Sequence, residues 1–161
     1  MKTPILRYEK GEGANKSESN TMKYGVAWND SFKLGNEQVD EQHRKLFEVV
    51  SNLVAAHMEG RDAEKLQETL DFLANYTCKH FQDEEALQVR YGYPDYERHK
   101  QLHEDFKVTV DELVQRYSAS ASTAELSSDV NRIVVRWLVN HIQREDKKIV
   151  EHIRKTAAQL I

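Results

Sequence analysis

Apolar residues recur at alternating steps of three and four along most of the chain after residue 36, the period of an amphipathic α-helix. The first such stripe predicts a helix from about Asp40, which we expect to be its N-cap, to about Met58. Gly60 interrupts the pattern shortly afterwards. A second stripe, for which Asp62 can serve as the cap, predicts a helix that ends near Tyr91.

Two more helices are indicated by the same signals. The sequence GYP at 92–94 ends the second helix, and Pro94 with Asp95 opens a third. A small-residue loop leads to Ser122 and Glu125, which have the spacing of a capping box, and the fourth helix then extends towards the end of the chain. Four helices of comparable length with short connections favour an all-α fold, an antiparallel up-down four-helix bundle.

The chain before the first helix divides into two parts. Residues 1–22 are polar and aperiodic, and we interpret them as a flexible N-terminal tail. A short aromatic segment, VAWNDSFKLGNE, follows and ends in turn residues, so we expect an irregular segment packed on the bundle. Residues 23–161 are accordingly predicted to form one domain.

Composition narrows the class of protein. Of 161 residues, 39% are hydrophobic and 31% are charged, and the formal net charge is -4. This balance gives no electrostatic case for binding nucleic acid or an anionic membrane, and no apolar run approaches the length of about 18 residues typical of a membrane span. The single cysteine, Cys78, cannot form an internal disulfide, which suits a cytoplasmic location.

Histidines interrupt the apolar stripes of all four predicted helices. The pairs His80–Glu84 and His99–His103 are each spaced i, i+4, which places them on one helical face about 5–6 Å apart, close enough to share a metal. A lone inward histidine is more often a hydrogen-bonded core residue. Burying several without partners would cost several kcal/mol each, and a metal that accepts their lone pairs removes that penalty. The candidate ligands on the four helices are His43, His80, Glu84, His99, His103 and His141.

Other polar residues do not fit this group equally well. His57 lies about 21 Å along the helix axis from His43, His152 is expected near a helix end, and Cys78 points away from the stripe of its helix. On the fourth helix the carboxylate is ambiguous. Glu145, at i+4 from His141, is slightly favoured by helical geometry, whereas Asp146 lies in line with the apolar stripe.

With these residues in hand, the chain resembles the hemerythrin family, and bacterial hemerythrins most closely. The resemblance extends from about residue 26 to residue 149. It is carried by W-N-D-S-F, V-D-E-Q-H ending at 43, H-F-x-x-E-E at 80–85, G-Y-P at 92–94, H-x-x-x-H at 99–103 and W-L-x-x-H-I-x-x-x-D at 137–146. It implies a four-helix bundle with a non-haem di-iron site, and it selects Asp146 rather than Glu145.

Carried over by position, the resemblance implies two iron ions (Fe2+/Fe3+) with a bridging oxo or hydroxo group. One iron would be bound by His99, His103 and His141, the other by His43 and His80, with Glu84 and Asp146 bridging them. Counting about twelve positions for two octahedral irons leaves one position open, on the iron with two histidines.

The implied function is reversible O2 binding, as hydroperoxide, at that open position, for storage, delivery or scavenging. Residues expected to line an apolar pocket there are Leu46, Phe81, Trp137 and Ile142. Many relatives have methionine one turn after the bridging glutamate, where this chain has Gln88. If Gln88 faces the pocket, its amide can bond the ligand or admit water, and we hypothesise faster autoxidation than in methionine-bearing relatives.

Two other functions compete with oxygen carriage: an O2 or redox sensor acting through a partner protein, and a di-iron oxidoreductase. Ferritin-like di-iron enzymes use two E-x-x-H motifs, and none occurs at these histidines, so we do not expect an enzyme. The segment KKIVEHIRKTAAQLI continues the last helix past Asp146. We favour its packing over the N-terminal segment, with a dimer or signalling connector as the alternative.

Overall fold

A computed structural model describes residues 27–119 and 122–158 of the chain. The tail predicted for residues 1–22 lies outside the described residues. A 3-10 turn at Asp30–Phe32 precedes the first helix. The four long helices are α1, Glu37–Met58; α2, Asp62–Arg90; α3, Tyr96–Ser118; and α4, Thr123–His141.

These four helices confirm the predicted all-α bundle. α1 packs against α2 and α4, and α3 packs against the same two neighbours, so the four close around a common interior. The short connections between successive helices make the neighbours antiparallel. No strand occurs within the ranges that the structure describes.

The sequence predicted that the fourth helix continues without interruption, but the chain after α4 is not one continuous α-helix. The residues Ile142–Asp146 form a π-helical segment, and a regular helix, α5, resumes over Lys147–Ala158. A π turn holds one more residue than an α turn, so it changes which side chains face the bundle interior. This local change affects which side chains of the segment can reach the polar cluster in the bundle interior.

The bundle interior is divided along its length. The C-terminal half of α1, the N-terminal half of α2 and their neighbours in α3 and α4 close a mainly apolar core. Its most deeply buried members are Leu53, Leu66, Leu70, Leu73, Leu113, Leu126 and Val130. Burial of apolar surface contributes about 25 cal/mol per Å², so this half of the interior stabilises the fold. It leaves the opposite half free to hold polar groups.

The start of α1 differs from the prediction that Asp40 caps it. Asn36 is the N-cap, and its side-chain oxygen accepts from the Val39 amide at 3.1 Å. Asp40 lies one turn inside the helix, where its buried carboxylate accepts from the amides of Leu34 at 2.7 Å and Gly35 at 2.9 Å. The prediction was wrong because Asp40 anchors the incoming segment instead of the helix end.

Two further predicted caps are also wrong in detail. Arg61 occupies the N-cap position of α2, and Asp62 is the first helical residue, with its carboxylate on His57 Nδ1. Ser122 does hold the N-cap position of α4, but its side chain makes no capping bond, so the predicted capping box with Glu125 does not form. Ser122 is exposed, so water can satisfy the free amides of this first turn.

The segment before α1 packs on the bundle as expected. Phe32 is buried against Phe47 of α1, with ring centroids 4.7 Å apart, and Trp28 meets Phe47 edge-on at 5.8 Å. Gly35 has a positive φ of 83°, which a side chain would strain, and the Arg154 guanidinium of α5 donates to the Leu34 carbonyl beside it. α5 therefore lies against the N-terminal segment.

Replacing Asp40 with alanine is expected to destabilise the protein by about 2 kcal/mol. The change leaves the buried Leu34 amide without an acceptor, and an unsatisfied buried donor costs about 1–3 kcal/mol. Chemical denaturation of both proteins measures the difference. Glu41→Ala, one residue further on and exposed, is the matched control and should change stability by under about 0.5 kcal/mol. Equal stability of the two variants would contradict the anchoring role.

None of the helices within the described ranges combines the length and the apolar character that crossing a bilayer requires.

Candidate metal centre

Five histidines and two carboxylates converge in the half of the bundle opposite the leucine-rich core. All seven are at most 5% exposed. They come from every helix of the bundle and from the π-helical segment: His43, His80, Glu84, His99, His103, His141 and Asp146. The structure thus brings together the five histidines, Glu84 and Asp146, but not Glu145, which the sequence had left as the alternative to Asp146.

The seven residues form two overlapping groups. One consists of Glu84, His99, His103 and His141, and the other of His43, His80, Glu84 and Asp146. Within each group one ligand atom per residue lies within 4.8 Å of the others, which is the spacing that a single metal ion can bridge. Glu84 belongs to both groups.

The Glu84 carboxylate lies at the centre of the three-histidine group. Its Oε2 is 3.2 Å from Nε2 of His99 and 3.2 Å from Nε2 of His103. Its place one turn after His80 on α2 brings the same carboxylate to the two-histidine group.

The Asp146 carboxylate faces both groups with different oxygens. Oδ1 is 3.0 Å from His141 Nε2 and 3.6 Å from His99 Nε2, whereas Oδ2 is 3.1 Å from His43 Nε2. One carboxylate therefore spans the two histidine groups, the arrangement that a bridging ligand requires.

The π turn explains how Asp146 reaches this position. The Lys147 amide donates to the Ile142 carbonyl, five residues back, so the local turn holds an extra residue. Asp146, at i+5 from His141, then returns to the inward face. In a regular α-helix this residue would lie about 140° around the helix from that face. Glu145 faces outward, where it binds Arg98 and Lys148. Of the two carboxylates that helical spacing left open, Asp146 is therefore the one that faces the cluster.

Several buried atoms of this cluster have no hydrogen-bond partner within the described part of the chain. They are both ring nitrogens of His43, Nδ1 of His99 and both carboxylate oxygens of Asp146. His43 Nε2 and Asp146 Oδ2 approach closely, yet without hydrogen-bond alignment. Of these atoms, His43 Nε2 and the two Asp146 oxygens face the interior of the cluster, where a cation held between them would compensate the cost of their burial.

The charge states of the carboxylates agree with this interpretation. Burial and Asp146 act to raise the pKa of Glu84, but His103 and His99 lower it to about 2. Burial likewise opposes ionisation of Asp146, but His141 and His43 hold its pKa well below the ordinary value. Both carboxylates are therefore anionic at neutral pH, in a site that cations would neutralise.

The histidines respond to the same surroundings in different ways. Burial lowers the pKa of His80 to about 4, so its imidazole is neutral and has a lone pair to offer a metal. Burial acts in the same direction on His103, but Glu84 and Glu85 outweigh it and raise the pKa. A metal that binds His103 would compete with a proton for the same lone pair.

We expect His80 to make the metal-free protein less stable as the pH falls. Its folded pKa, about 4, lies below the ordinary 6.5, so the unfolded chain binds more protons between these values. The stability that neutral His80 contributes is complete above pH 6.5 and is lost towards pH 4, by about 3 kcal/mol. Urea unfolding of the parent and of His80→Gln across this range isolates the effect; parallel curves would contradict it.

Two histidines have side-chain partners on the ring nitrogen that faces away from the cluster. His80 Nδ1 is 3.0 Å from Gln42 Oε1, and His103 Nδ1 is 2.9 Å from Glu85 Oε1. The sequence interpretation missed Gln42 and Glu85. No spacing rule indicates them, because each contact depends on how two helices pack and not on the period of one.

Aromatic rings cover one side of the cluster. Phe81 stacks on His103 with centroids 3.8 Å apart, and Trp137 stacks on His141 at 4.1 Å. Ile142 and Leu46 are buried nearby in the same core. The stacked rings fix the planes of the two imidazoles.

Gln88 is placed differently from these apolar residues. It is fully buried one turn after Glu84 on α2, near the end of the helix where the Tyr93 amide donates to its backbone carbonyl. Both atoms of its side-chain amide lack a partner among the described residues. Such an orphan in a native core requires an explanation.

The polar residues set aside at the sequence level lie apart from the cluster. His57 pairs with Asp62 at the other end of α1, and His152 approaches the Tyr91 carbonyl at 2.9 Å. Cys78 donates to the Ala74 carbonyl of its own helix. None of them belongs to either group of candidate ligands.

Comparison with known proteins agrees with this geometry. Residues 34–153 match the family model described as the hemerythrin HHE cation binding domain. The bacteriohemerythrin of Stenotrophomonas maltophilia is 31% identical over 80% of this chain and 82% of its own, and the myohemerythrin of Theromyzon tessulatum is 31% identical over 75% and 88%. A solved structure of a leucine-to-phenylalanine mutant superposes with a TM-score of 0.65 at 27% identity, covering 76% of this chain and 92% of that one. The chain belongs to the hemerythrin family.

Proposed function

We propose that this protein binds O2 reversibly at a pair of iron ions held in the buried cluster. The observation that carries the proposal is the sharing of two carboxylates between two histidine groups. Glu84 belongs to both groups, and Asp146 directs Oδ1 to one and Oδ2 to the other. Family membership supports iron as the metal, because hemerythrin domains imply a di-iron site.

We assign the ligands as the two groups suggest. One position is formed by His99, His103 and His141, the other by His43 and His80, with Glu84 and Asp146 between them. Two six-coordinate ions need about twelve ligand positions. The side chains supply nine and a bridging oxygen would fill two more. One position then remains for an exogenous ligand, at the site with only two histidines.

When bound, a reduced iron pair would supply the two electrons that O2 takes up on binding and gives back on release. The chain's own residues keep this exchange reversible. Phe81 lies beside His80 of the two-histidine position, with ring centroids 5.5 Å apart. Leu46 and Ile142 are buried in the same core, so apolar side chains limit the access of water to this position. Water exclusion hinders the loss of a bound anionic ligand, which would leave the site oxidised.

The surroundings of the cluster favour binding over catalysis. Within the described ranges, the only carboxylates that lie within 4 Å of the Nε2 atoms facing the site are those of Glu84 and Asp146. Enzymes that transfer protons or groups position an additional acid or base near the reacting atoms. We therefore propose a carrier, for storage, delivery or scavenging of O2, and place it in the cytoplasm, which suits the single free cysteine.

Visible spectroscopy under controlled gas tests the proposal. Iron-loaded protein is reduced without oxygen, exposed to O2 and then placed under vacuum through several cycles. We expect an absorption band that appears with O2 and fades under vacuum, and no such band in zinc-loaded protein. An oxidised spectrum that forms at once and does not reverse would contradict carriage and favour redox sensing or oxidation chemistry.

Replacing Gln88 with methionine is expected to stabilise the protein by about 1–2 kcal/mol and to slow its autoxidation. The change keeps the side-chain volume and removes a buried amide with no partner among the described residues. Chemical denaturation and the decay of the O2-dependent spectrum measure the two effects. Gln82→Met, on the exposed face of the same helix, is the matched control. An unchanged oxidation rate would remove the role of Gln88 in autoxidation.

A further inference from the structure

The partners of His80 and His103 differ in charge. His103 Nδ1 meets a carboxylate, Glu85, at 2.9 Å, whereas His80 Nδ1 meets a neutral amide, Gln42, at 3.0 Å. The two histidines belong to different candidate metal positions. The chain thus treats two chemically equivalent imidazoles unequally.

The orientation of the Gln42 amide follows from its other contact. Its Nε2 donates to Asp83 Oδ2 at 2.7 Å, and Lys79 Nζ in turn lies 2.9 Å from the same oxygen. An ionised carboxylate only accepts hydrogen bonds, so the amide nitrogen must face Asp83 and the amide oxygen must face His80. His80 Nδ1 then carries the hydrogen, and its Nε2 is left for the metal.

The His103 ring is oriented in the same way. Glu85 can only accept, so His103 Nδ1 donates and Nε2 faces Glu84. The two imidazoles therefore present the same nitrogen to the site. What differs is the charge of the group behind each ring.

That charge changes how strongly each ring donates to a metal. A hydrogen bond to a carboxylate is roughly twice as strong as one between neutral groups, and it makes the imidazole more basic. A more basic ligand stabilises the higher oxidation state of the ion that it binds. Glu85 therefore favours Fe3+ at the three-histidine position, and Gln42 does so less at the two-histidine position.

We propose that Gln42 and Glu85 make the two iron positions unequal in reduction potential, so that the first electron enters at the position held by His43 and His80. This inference rests on the proposed di-iron function. It makes Gln42, held by Asp83, and Glu85 positioning residues that act through His80 and His103. The position that reduces more readily is the one with the open site.

A charge-neutral swap tests the role of Gln42. In Gln42→Glu/Asp83→Asn, a carboxylate faces His80 and an amide donates to that carboxylate, so the hydrogen-bond pattern and the net charge are preserved. We expect the equilibrium between the oxidation states at this position to shift about tenfold towards the ferric form, which lowers the first midpoint potential by about 59 mV. Spectroelectrochemical titration of iron-loaded protein measures both midpoints.

The reciprocal variant tests Glu85. Glu85→Gln replaces the carboxylate behind His103 with an amide, and we expect it to raise the second midpoint potential by a similar amount. Glu41→Gln is the matched control, because this exposed residue loses the same charge and lies beside Gln42 without touching a histidine. It should leave both midpoints in place, and thermal unfolding of each variant checks that the fold is intact.

The outcomes separate this inference from the proposed function. A narrower gap between the two midpoints in the swap and in Glu85→Gln supports the inference. Midpoints that stay within the shift of the Glu41→Gln control, in a parent that holds two irons and binds O2, would overturn the inference alone. A parent that does not retain two irons would overturn the proposed function and the inference with it.

Discussion

Replacing Asp146 with alanine is expected to weaken iron binding by at least about 100-fold, whereas replacing its neighbour Glu145 should leave it nearly unchanged. Losing only an outer partner of a ligand already costs about 10–100-fold in metal affinity, and Asp146 faces both histidine groups directly. Glu145 faces outward to Arg98 and Lys148, so its removal breaks surface ion pairs. Such pairs contribute at most about 1 kcal/mol.

The two variants form a closely matched pair, because they remove adjacent carboxylates from one short segment. Elemental analysis after anaerobic loading with Fe2+, followed by desalting, measures the bound iron in each. Circular dichroism confirms that both retain the helical fold. If Glu145→Ala lost the metal and Asp146→Ala kept it, the π turn would not play the role assigned to it.

Removing the metal is expected to lower the thermal stability of the protein more than any of the single substitutions does. The metal-free cluster buries two anionic carboxylates, and both ring nitrogens of His43 lack a partner within the described residues. A metal that binds only the folded chain adds about 4 kcal/mol when its free concentration is 1,000 times its dissociation constant. For a domain of this size, that corresponds to a rise in melting temperature of roughly 10 °C.

Thermal unfolding with Fe2+ or Zn2+, and after chelation, measures this difference. The Asp146→Ala variant provides the control, since it should melt at nearly the same temperature with and without metal. The leucine-rich half does not depend on the metal, so we expect the metal-free protein to remain helical at room temperature. Superimposable melting curves for loaded and metal-free parent would contradict a structural contribution from the metal.

Most of the bundle could be predicted because the pattern that specifies each helix lies within the sequence of that helix. The leucine stripe of α2, at Leu66, Leu70 and Leu73, and the inward histidines follow from the helical period alone. Four helices with inward histidines must place these side chains in one interior. The clustering therefore followed from the sequence once the fold class was chosen.

The details that the sequence did not predict depend on contacts between distant segments. Asp40 has the character of a helix cap, yet it binds the amides of Leu34 and Gly35 because the preceding segment folds back on α1. Gln42 and Glu85 reach imidazoles on neighbouring helices. Helical period carries no information about such pairs.

The π turn is the most instructive of these differences. The sequence IQRED contains neither glycine nor proline, so nothing in it marks a departure from α-helical geometry. The extra residue brings Asp146 to His43 and His141, which lie on other helical segments. Resemblance to a family selected Asp146, whereas helical spacing slightly favoured Glu145, and the structure supplies the physical reason for the difference.

X-ray diffraction at the iron absorption edge, from crystals loaded with Fe2+, tests the paired centre most directly. Anomalous scattering locates each ion without reference to the protein coordinates. We expect two peaks inside the bundle, with Glu84 and Asp146 between them, one beside His99, His103 and His141 and the other beside His43 and His80. A single peak, or ions bound only by surface carboxylates, would contradict it.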